Sequence, residues 1–131
     1  MTFKFSDRSW ERLRTCDPAL QSVIVHAMGY QVMDFTVLEG HRSLERQREL
    51  YDTNRSKTMN SRHLTDPSQA VDIAPYPIDW SDIYRFYALG GIVMAAAKER
   101  GVPIRWGGDW DSDWFLAEHG FKDPGHFELK D

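Results

Sequence analysis

Gln69-Ala70-Val71-Asp72-Ile73-Ala74, closed by Pro75-Tyr76-Pro77, is the stretch whose reading decides how this chain folds. It is a short apolar run of strand length, and the prolines behind it forbid its extension because proline has no N–H to give to a sheet. The run therefore predicts a strand from Gln69 to Ala74. Asp72 is the only charged residue inside it. A carboxylate within or at the end of a strand occupies a rigid position, suited to holding a ligand.

Upstream, the residues between Asp52 and Thr65 are polar and turn-prone, which predicts a long loop that delivers Ser61 and His63 to the start of this strand. Before the loop, Asp34-Phe35-Thr36-Val37-Leu38-Glu39 alternates and is rich in strand formers, with Gly40 ending it. A helix follows from Ser43, carrying Leu44, Gln47, Leu50 and Tyr51. Nearer the start, Ser6 can cap a short helix through Trp10 and Leu13. Asp17-Pro18 opens another, since Asp is a good N-cap and Pro is tolerated in the first turn. Its apolar positions Leu20, Val23, Ile24, Ala27 and Met28 share one face, and Gly29 supplies a stop. His26 lies beside that face and reads as a packed or exposed histidine, not a ligand.

Downstream, a long helix is predicted from Ser81 to Arg100, with Ile83, Phe86, Tyr87, Val93, Met94 and Ala97 inward. Gly90-Gly91 in its middle costs about 1 kcal/mol per glycine relative to alanine, which close packing against another backbone would explain. Val102 to Trp106 reads as a strand, Gly107-Gly108 turns it, and Phe127-Glu128-Leu129 forms a last strand beside His126. Helices and strands show no regular βαβ rhythm. The expectation is an α+β fold, a small single domain over residues 1–131 with helices packed on a short antiparallel sheet.

Composition narrows the function. The chain has 131 residues, of which 41% are hydrophobic and 27% charged, as suits one globular core. A net charge of −4 argues against a nucleic-acid module, which carries a basic face. Cys16 is the only cysteine, so neither an intrachain disulfide nor a Cys-rich zinc knuckle is available. The first residues lack the apolar core of roughly 7–15 residues that a secretory signal needs. No uncharged run approaches the ~20 apolar residues of a membrane span. A product that begins in the cytoplasm is expected.

The residues that bear chemistry are His63, Asp72 and His126, with Asp123 three positions before the last of them. Two imidazoles and one carboxylate, with a fourth position open, make the ligand set of a catalytic zinc, whereas structural sites are usually closed by cysteine. Asp123 fits a base acting on zinc-bound water, because the Pro124-Gly125 bend lets both side chains reach one centre. Glu128 is a rival, since alternation along a strand puts it on the same face as His126. Spacing alone is a weak signal, as no short motif such as H-E-x-x-H is present.

The flanking residues carry more weight. Ser61-x-His63, Ala70-x-Asp72 and Asp123-x-x-His126 resemble the pattern of the zinc DD- and LD-peptidases of bacterial cell walls, the VanX/VanY type. Gly40-His41-Arg42-Ser43 with Gln47 and Leu50-Tyr51, the run from Asp72 to Pro77, Ile104-Arg105-Trp106-Gly107-Gly108-Asp109-Trp110, and His126-Phe127-Glu128-Leu129 are most similar to the phage L-alanyl-D-glutamate endolysin branch. The likeness covers roughly residues 35 to 129 and implies a Hedgehog/DD-peptidase-like fold. It further implies Zn2+ held by His63, Asp72 and His126, Asp123 as acid/base, and Arg42 holding the substrate or polarising its carbonyl. Ser61 would support the site by hydrogen bonding and, with Arg42 and Trp106, would meet the substrate.

One departure stands out: Leu64 to Val71 makes the connection between the first two ligands two residues longer than the family's usual one, with Asp66-Pro67-Ser68 where the family has a glycine. A surface bulge that reshapes the rim of the site is expected there, since longer loops cost little entropy. Trp106, Trp110, Trp114 and Phe115 suggest either a wall against substrate or core, core being the commoner fate of large aromatics. Asp109, Asp111 and Asp113 read as a solvated acidic turn, lacking the glycine and terminal glutamate of a calcium loop.

The resulting expectation is a zinc endopeptidase that cleaves the L-alanyl-D-glutamate bond of the bacterial peptidoglycan stem peptide, a monomer without nucleic-acid partner or transmembrane segment. It would stay in the host cytoplasm until lysis and then act on the wall. The alternatives are a D-alanyl-D-alanine carboxypeptidase and a noncatalytic, metal-stabilised wall-binding module.

Overall fold

The computed structural model describes residues 2–117 and 120–131. Among them, four α-helices and one four-stranded antiparallel sheet make an α+β fold. The helices are α1 (Asp7–Leu13), α2 (Pro18–Gly29), α3 (Leu44–Asp52) and α4 (Ile83–Arg100), and the strands are β1 (Phe35–Glu39), β2 (Ala70–Pro75), β3 (Ile104–Trp106) and β4 (His126–Leu129). A 3₁₀ turn, Arg62–Leu64, precedes β2.

Each helix starts where its capping side chain lies. The Ser6 hydroxyl accepts the Ser9 N–H, Asp17 the Ala19 N–H and Ser43 the Arg46 N–H, which satisfies donors that the first helical turn leaves free. α4 begins at Ile83, two residues past the start expected at Ser81, and Asp82 caps it by accepting from Arg85 N–H. Gly101 ends α4 in the left-handed region at φ 68°, where glycine carries no Cβ penalty. Gly29 plays no such part: α2 runs through it, Tyr30 caps the helix, and Gln31 takes the positive φ.

The strands are ordered β1-β2-β4-β3, so the two central strands are distant in sequence. Asp72 pairs with His126 and Val71 with Phe127 across β2 and β4. Trp106 pairs with Phe127 across β4 and β3. Alternation along strands then separates two faces. Val37, Val71, Ile73, Phe127 and Trp106 face the helices and are almost wholly buried with Leu20, Val23, Ile24, Leu89 and Val93. Asp72, His126 and Glu128 point to the opposite face, where they line one cavity.

Three expectations about packing are corrected. Ile83 stands 44% exposed at the first turn of α4, while Leu89, Gly90 and Ala96 take the inward positions. Gly90 meets an indole ring and not a backbone, since a Cβ built on it would lie 2.0 Å from Cζ2 of Trp106, whereas one on Gly91 would meet nothing within 4 Å. The longer connection before β2 does bulge at the surface, where Thr65, Asp66 and Pro67 are exposed, but none of these lines the site, and the connection is tied down elsewhere. Ser68 is fully buried, its N–H donates to Thr15 O at 2.8 Å, and its carbonyl accepts the Asp17 N–H at 2.8 Å. Ser68 thus stitches the end of the connection to the α1–α2 junction.

Candidate metal and catalytic site

Three elements bring the predicted ligands together. The 3₁₀ turn presents His63, capped by Ser61, whose hydroxyl accepts the His63 N–H at 3.2 Å. β2 presents Asp72, and β4 opens with His126 directly across the ladder from it. Oδ1 of Asp72 lies 2.9 Å from Nδ1 of His126, and Oδ2 lies 3.2 Å from Nε2 of His63. One ligand atom from each of the three lies within 4.8 Å of the others, so the trio could hold a metal ion.

Two observations test whether a metal fits. His63 is 1% exposed, yet its Nε2 makes no hydrogen bond, and a buried polar atom without a partner is uncommon. Its Nδ1–H donates to the Gly40 carbonyl at 2.6 Å, which leaves the Nε2 lone pair directed at Asp72. Second, two ligand atoms that share a tetrahedral ion at about 2.05 Å stand about 3.3 Å apart. The observed 2.9 and 3.2 Å are close to that. Borderline imidazole nitrogens with a hard carboxylate oxygen suit zinc or a similar divalent ion.

The charges of the site centre on Asp72. Burial alone would raise its pKa, but the hydrogen bond from His126 and the close approach of the His126 and His63 rings hold it well below the usual carboxylate range. Burial works against the His126 cation, and the hydrogen bonds to Asp72 and Glu128 outweigh it, carrying the imidazole up to about 10. Asp123 moves the other way: burial and the nearby Asp72 charge push it up, against the pull of His126, His63 and Arg42. A carboxylate biased toward keeping a proton is suited to proton transfer.

Asp123 is placed by backbone. Its N–H donates to Gly107 O at 2.8 Å, its carbonyl accepts the His126 N–H at 3.0 Å, and Gly107 N–H returns to His126 O at 2.8 Å. A Cβ on Gly107 would lie 2.1 Å from Asp123 O, so only glycine permits this approach. Arg42 is 10% exposed and spends its fork inside the protein, donating from Nε to Glu39 Oε1 at 3.0 Å and from Nη1 to Gln47 Oε1 at 2.6 Å. Its Nη2 also reaches to 3.5 Å from Asp72 Oδ2. Gln47, fully buried, in turn donates to Ser56 Oγ at 2.9 Å and Thr58 O at 2.5 Å, tying the loop after α3 to Arg42.

These groups line a cavity of about 790 Å³. Its wall includes six cationic side chains, Arg42, Arg46, Arg55, Lys57, Arg62 and Arg105, against four carboxylates, in a chain whose net charge is −4. A smaller, mainly apolar cavity of about 290 Å³, lined by Trp80, Ile83 and Phe86, adjoins it through Asp72 and Asp123.

Sequence reasoning misplaced two groups and missed the use of a third. Trp106 does not line the cavity: it is 1% exposed, stacks parallel to Phe127 and donates from Nε1 to Pro124 O at 2.8 Å, so it props the segment that carries Asp123 and His126. Trp110 lines the cavity instead, its ring 5.6 Å from that of His126. Asp109 is not solvated but 2% exposed, burial raises its pKa, and one oxygen accepts the Trp114 N–H at 2.9 Å. Glu128, the rival base, lies behind His126: its Oε1 is 2.8 Å from Nε2, the ring nitrogen turned away from Asp72. Alternation had put it on the correct face, but periodicity cannot say which ring nitrogen it meets. His26 stands apart from the trio, edge-on to Tyr30 and 3.6 Å from Glu99.

Comparison with known proteins points to one family. Residues 1–130 match the family model of phage L-alanyl-D-glutamate peptidases. The chain is 33% identical over 138 residues to the L-alanyl-D-glutamate peptidase of Escherichia phage T5, covering 98% of this chain and 99% of that one. Among solved structures it is similar to the Serratia marcescens L-Ala D-Glu endopeptidase ChiX, with a TM-score of 0.78 and 36% identity over 97% of this chain and 90% of that one.

Proposed function

The chain belongs to the phage L-alanyl-D-glutamate peptidase family, and from that premise we propose that it hydrolyses the amide between L-alanine and D-glutamate in the peptidoglycan stem peptide, using zinc at His63, Asp72 and His126. It is a peptidoglycan endopeptidase of the endolysin kind. The observation that carries the zinc reading is the orphaned Nε2 of buried His63, facing Asp72 and His126. When bound there, zinc supplies Lewis acidity and a water whose pKa is lowered to about 7.

The protein's own groups divide the remaining work. Asp123 takes the proton from the attacking water and delivers it to the departing amine nitrogen, one carboxylate serving as base and then acid. Its raised pKa lets it hold that proton between the two steps. Arg42, fixed by Glu39 and Gln47, keeps a positive charge beside Asp72, where negative charge grows on the carbonyl oxygen. Ser61 holds the turn that presents His63. The acidic glutamyl half of the stem peptide suits the arginine-lined cavity, and the alanyl side suits the apolar cavity beside Trp80.

The enzyme acts at the cell wall, as a monomer. None of the described helices is long and apolar enough to cross a membrane. We place it in the host cytoplasm until another protein opens the membrane. Digestion of purified sacculi by the zinc-loaded protein tests the reading. New glutamate amino termini are expected, released D-alanine would make it a carboxypeptidase, and binding without product would make it a wall-binding module.

A further inference from the structure

The imidazole of His126 is held from behind by a line of charged groups that runs to the protein surface. Nε2 lies 2.8 Å from Oε1 of Glu128, and Oε2 of Glu128 lies 3.0 Å from Nε of Arg62. Arg62 is itself fixed by a two-pronged contact, Nη1 and Nη2 donating to the two carboxylate oxygens of Asp131 at 3.0 and 2.9 Å, with Gln69 Oε1 accepting from Nη1 at 3.3 Å. Glu128 is 9% exposed, and both its oxygens are engaged. The strands make room for this arrangement. His126 and Glu128 stand two apart on β4, and the residue across from Glu128 on β2 is Ala70.

We infer that Glu128 is a positioning residue for the metal site: it holds the proton of His126 on Nε2, so that Nδ1 is the atom offered to the ion. The inference rests on the metal reading above. An imidazole has two nitrogens, and the hydrogen bond at one decides which lone pair is free at the other. His63 solves the same problem with a backbone carbonyl, its Nδ1–H donating to Gly40. The two ligands therefore coordinate through opposite nitrogens, Nε2 of His63 and Nδ1 of His126, each selected by an acceptor on its far side. A carboxylate behind His126 also makes that imidazole the more basic ligand.

Arg62 and Asp131 complete the device. A buried carboxylate with one free oxygen could turn toward the ion or compete for the attacking water's proton. The guanidinium occupies the second oxygen and keeps the first on Nε2. Glu128 is thereby separated from the role given to Asp123, although both are acids close to one histidine.

The test measures metal affinity, which an acid/base role would leave unchanged. Metal-free wild type, Glu128→Gln, Glu128→Ala and Arg62→Gln are titrated with zinc against a chromophoric chelator, each first shown to be folded by circular dichroism. Glu128→Ala is expected to bind zinc about 10- to 100-fold more weakly, the usual effect of removing a group that orients a ligand. Glu128→Gln, whose amide oxygen still accepts from Nε2–H, should lose less, and it keeps the test open if the alanine variant does not fold. In zinc-loaded wild type, nitrogen NMR of the His126 ring should show a protonated Nε2 and a metal-bearing Nδ1. Wild-type affinity in both Glu128 variants, or a metal-bearing Nε2, overturns the inference alone. Folded wild type that binds no zinc overturns the metal reading with it.

Discussion

Gly90 and Gly91 are neighbours in the middle of α4, and exchanging each for alanine should move stability in opposite directions. A Cβ on Gly90 would lie 2.0, 2.4 and 2.6 Å from three carbons of the Trp106 indole. The ring cannot retreat, because a Cβ on Gly108 would stand 2.5 Å from the same indole, so the two glycines clamp it closely. Overpacking of a tight core costs about 1–3 kcal/mol, and the clamp puts this case at the upper end. Helix propensity returns about 1 kcal/mol, so Gly90→Ala should lose about 2 kcal/mol net. Gly91→Ala meets nothing within 4 Å and should gain about 1 kcal/mol. Thermal unfolding of the metal-free proteins reads the difference, ~3 kcal/mol or on the order of 10 °C for a domain of this size. Trp106 also supports Pro124, so Gly90→Ala should lower turnover while Gly91→Ala should not. If both variants are stabilised alike, the indole is not clamped and the reasoning fails.

Three further outcomes follow from the site and core. Asp123→Asn should retain stoichiometric zinc while lowering kcat by about 10²–10⁴-fold, the span of general acid–base catalysis, whereas His63→Ala, Asp72→Ala and His126→Ala should lose both; an active Asp123→Asn removes the assigned base. Charge reversal of Arg55 and Lys57 together should raise KM for a stem peptide with free glutamyl carboxylate more than for its carboxamide, and added salt should shrink the gap. Burial pushes the Cys16 thiol up to about 12 from 9.0. Between those values the unfolded thiol ionises and the folded one does not, so the thiol's contribution to stability is full below pH 9.0 and falls by about 1.4 kcal/mol per unit as pH rises toward 12. Urea unfolding across that range should show a fall in stability steeper by this amount in wild type than in Cys16→Ala.

How much of this was legible in the sequence depends on how local the cause is. Caps act within one turn, so Ser6, Asp17 and Ser43 announced their helices, and Gly101 announced the end of α4. Asp72 was visible as the one charge in an apolar strand. What escaped depends on partners far along the chain. The burial of Trp106 follows from Gly90 and Gly108, on two different elements. The docking of Ser68 depends on carbonyl and N–H groups at Thr15 and Asp17, which no side-chain pattern advertises. Gly40 looked like a strand stop, yet its carbonyl is what orients His63.

The same physics explains how an open-faced site keeps its geometry. Asp72 and His126 lie opposite one another on the two central strands. Their neighbours Val71, Ile73 and Phe127 are fully buried on the other face. A slip of one residue in either strand would turn those side chains to solvent and the ligands into the core. The hydrophobic register that stabilises the fold thus also sets where Asp72 and His126 stand, which leaves Glu128 only the His126 ring to orient. His63 has no such ladder, and it is the ligand that needs local supports: the Ser61 hydroxyl, the Gly40 carbonyl, and the hydrogen bond from Arg42 N–H to its own carbonyl at 2.7 Å. Weakening those supports should therefore loosen His63 before it disturbs Asp72 or His126, and the metal site should fail first at the turn and last at the sheet.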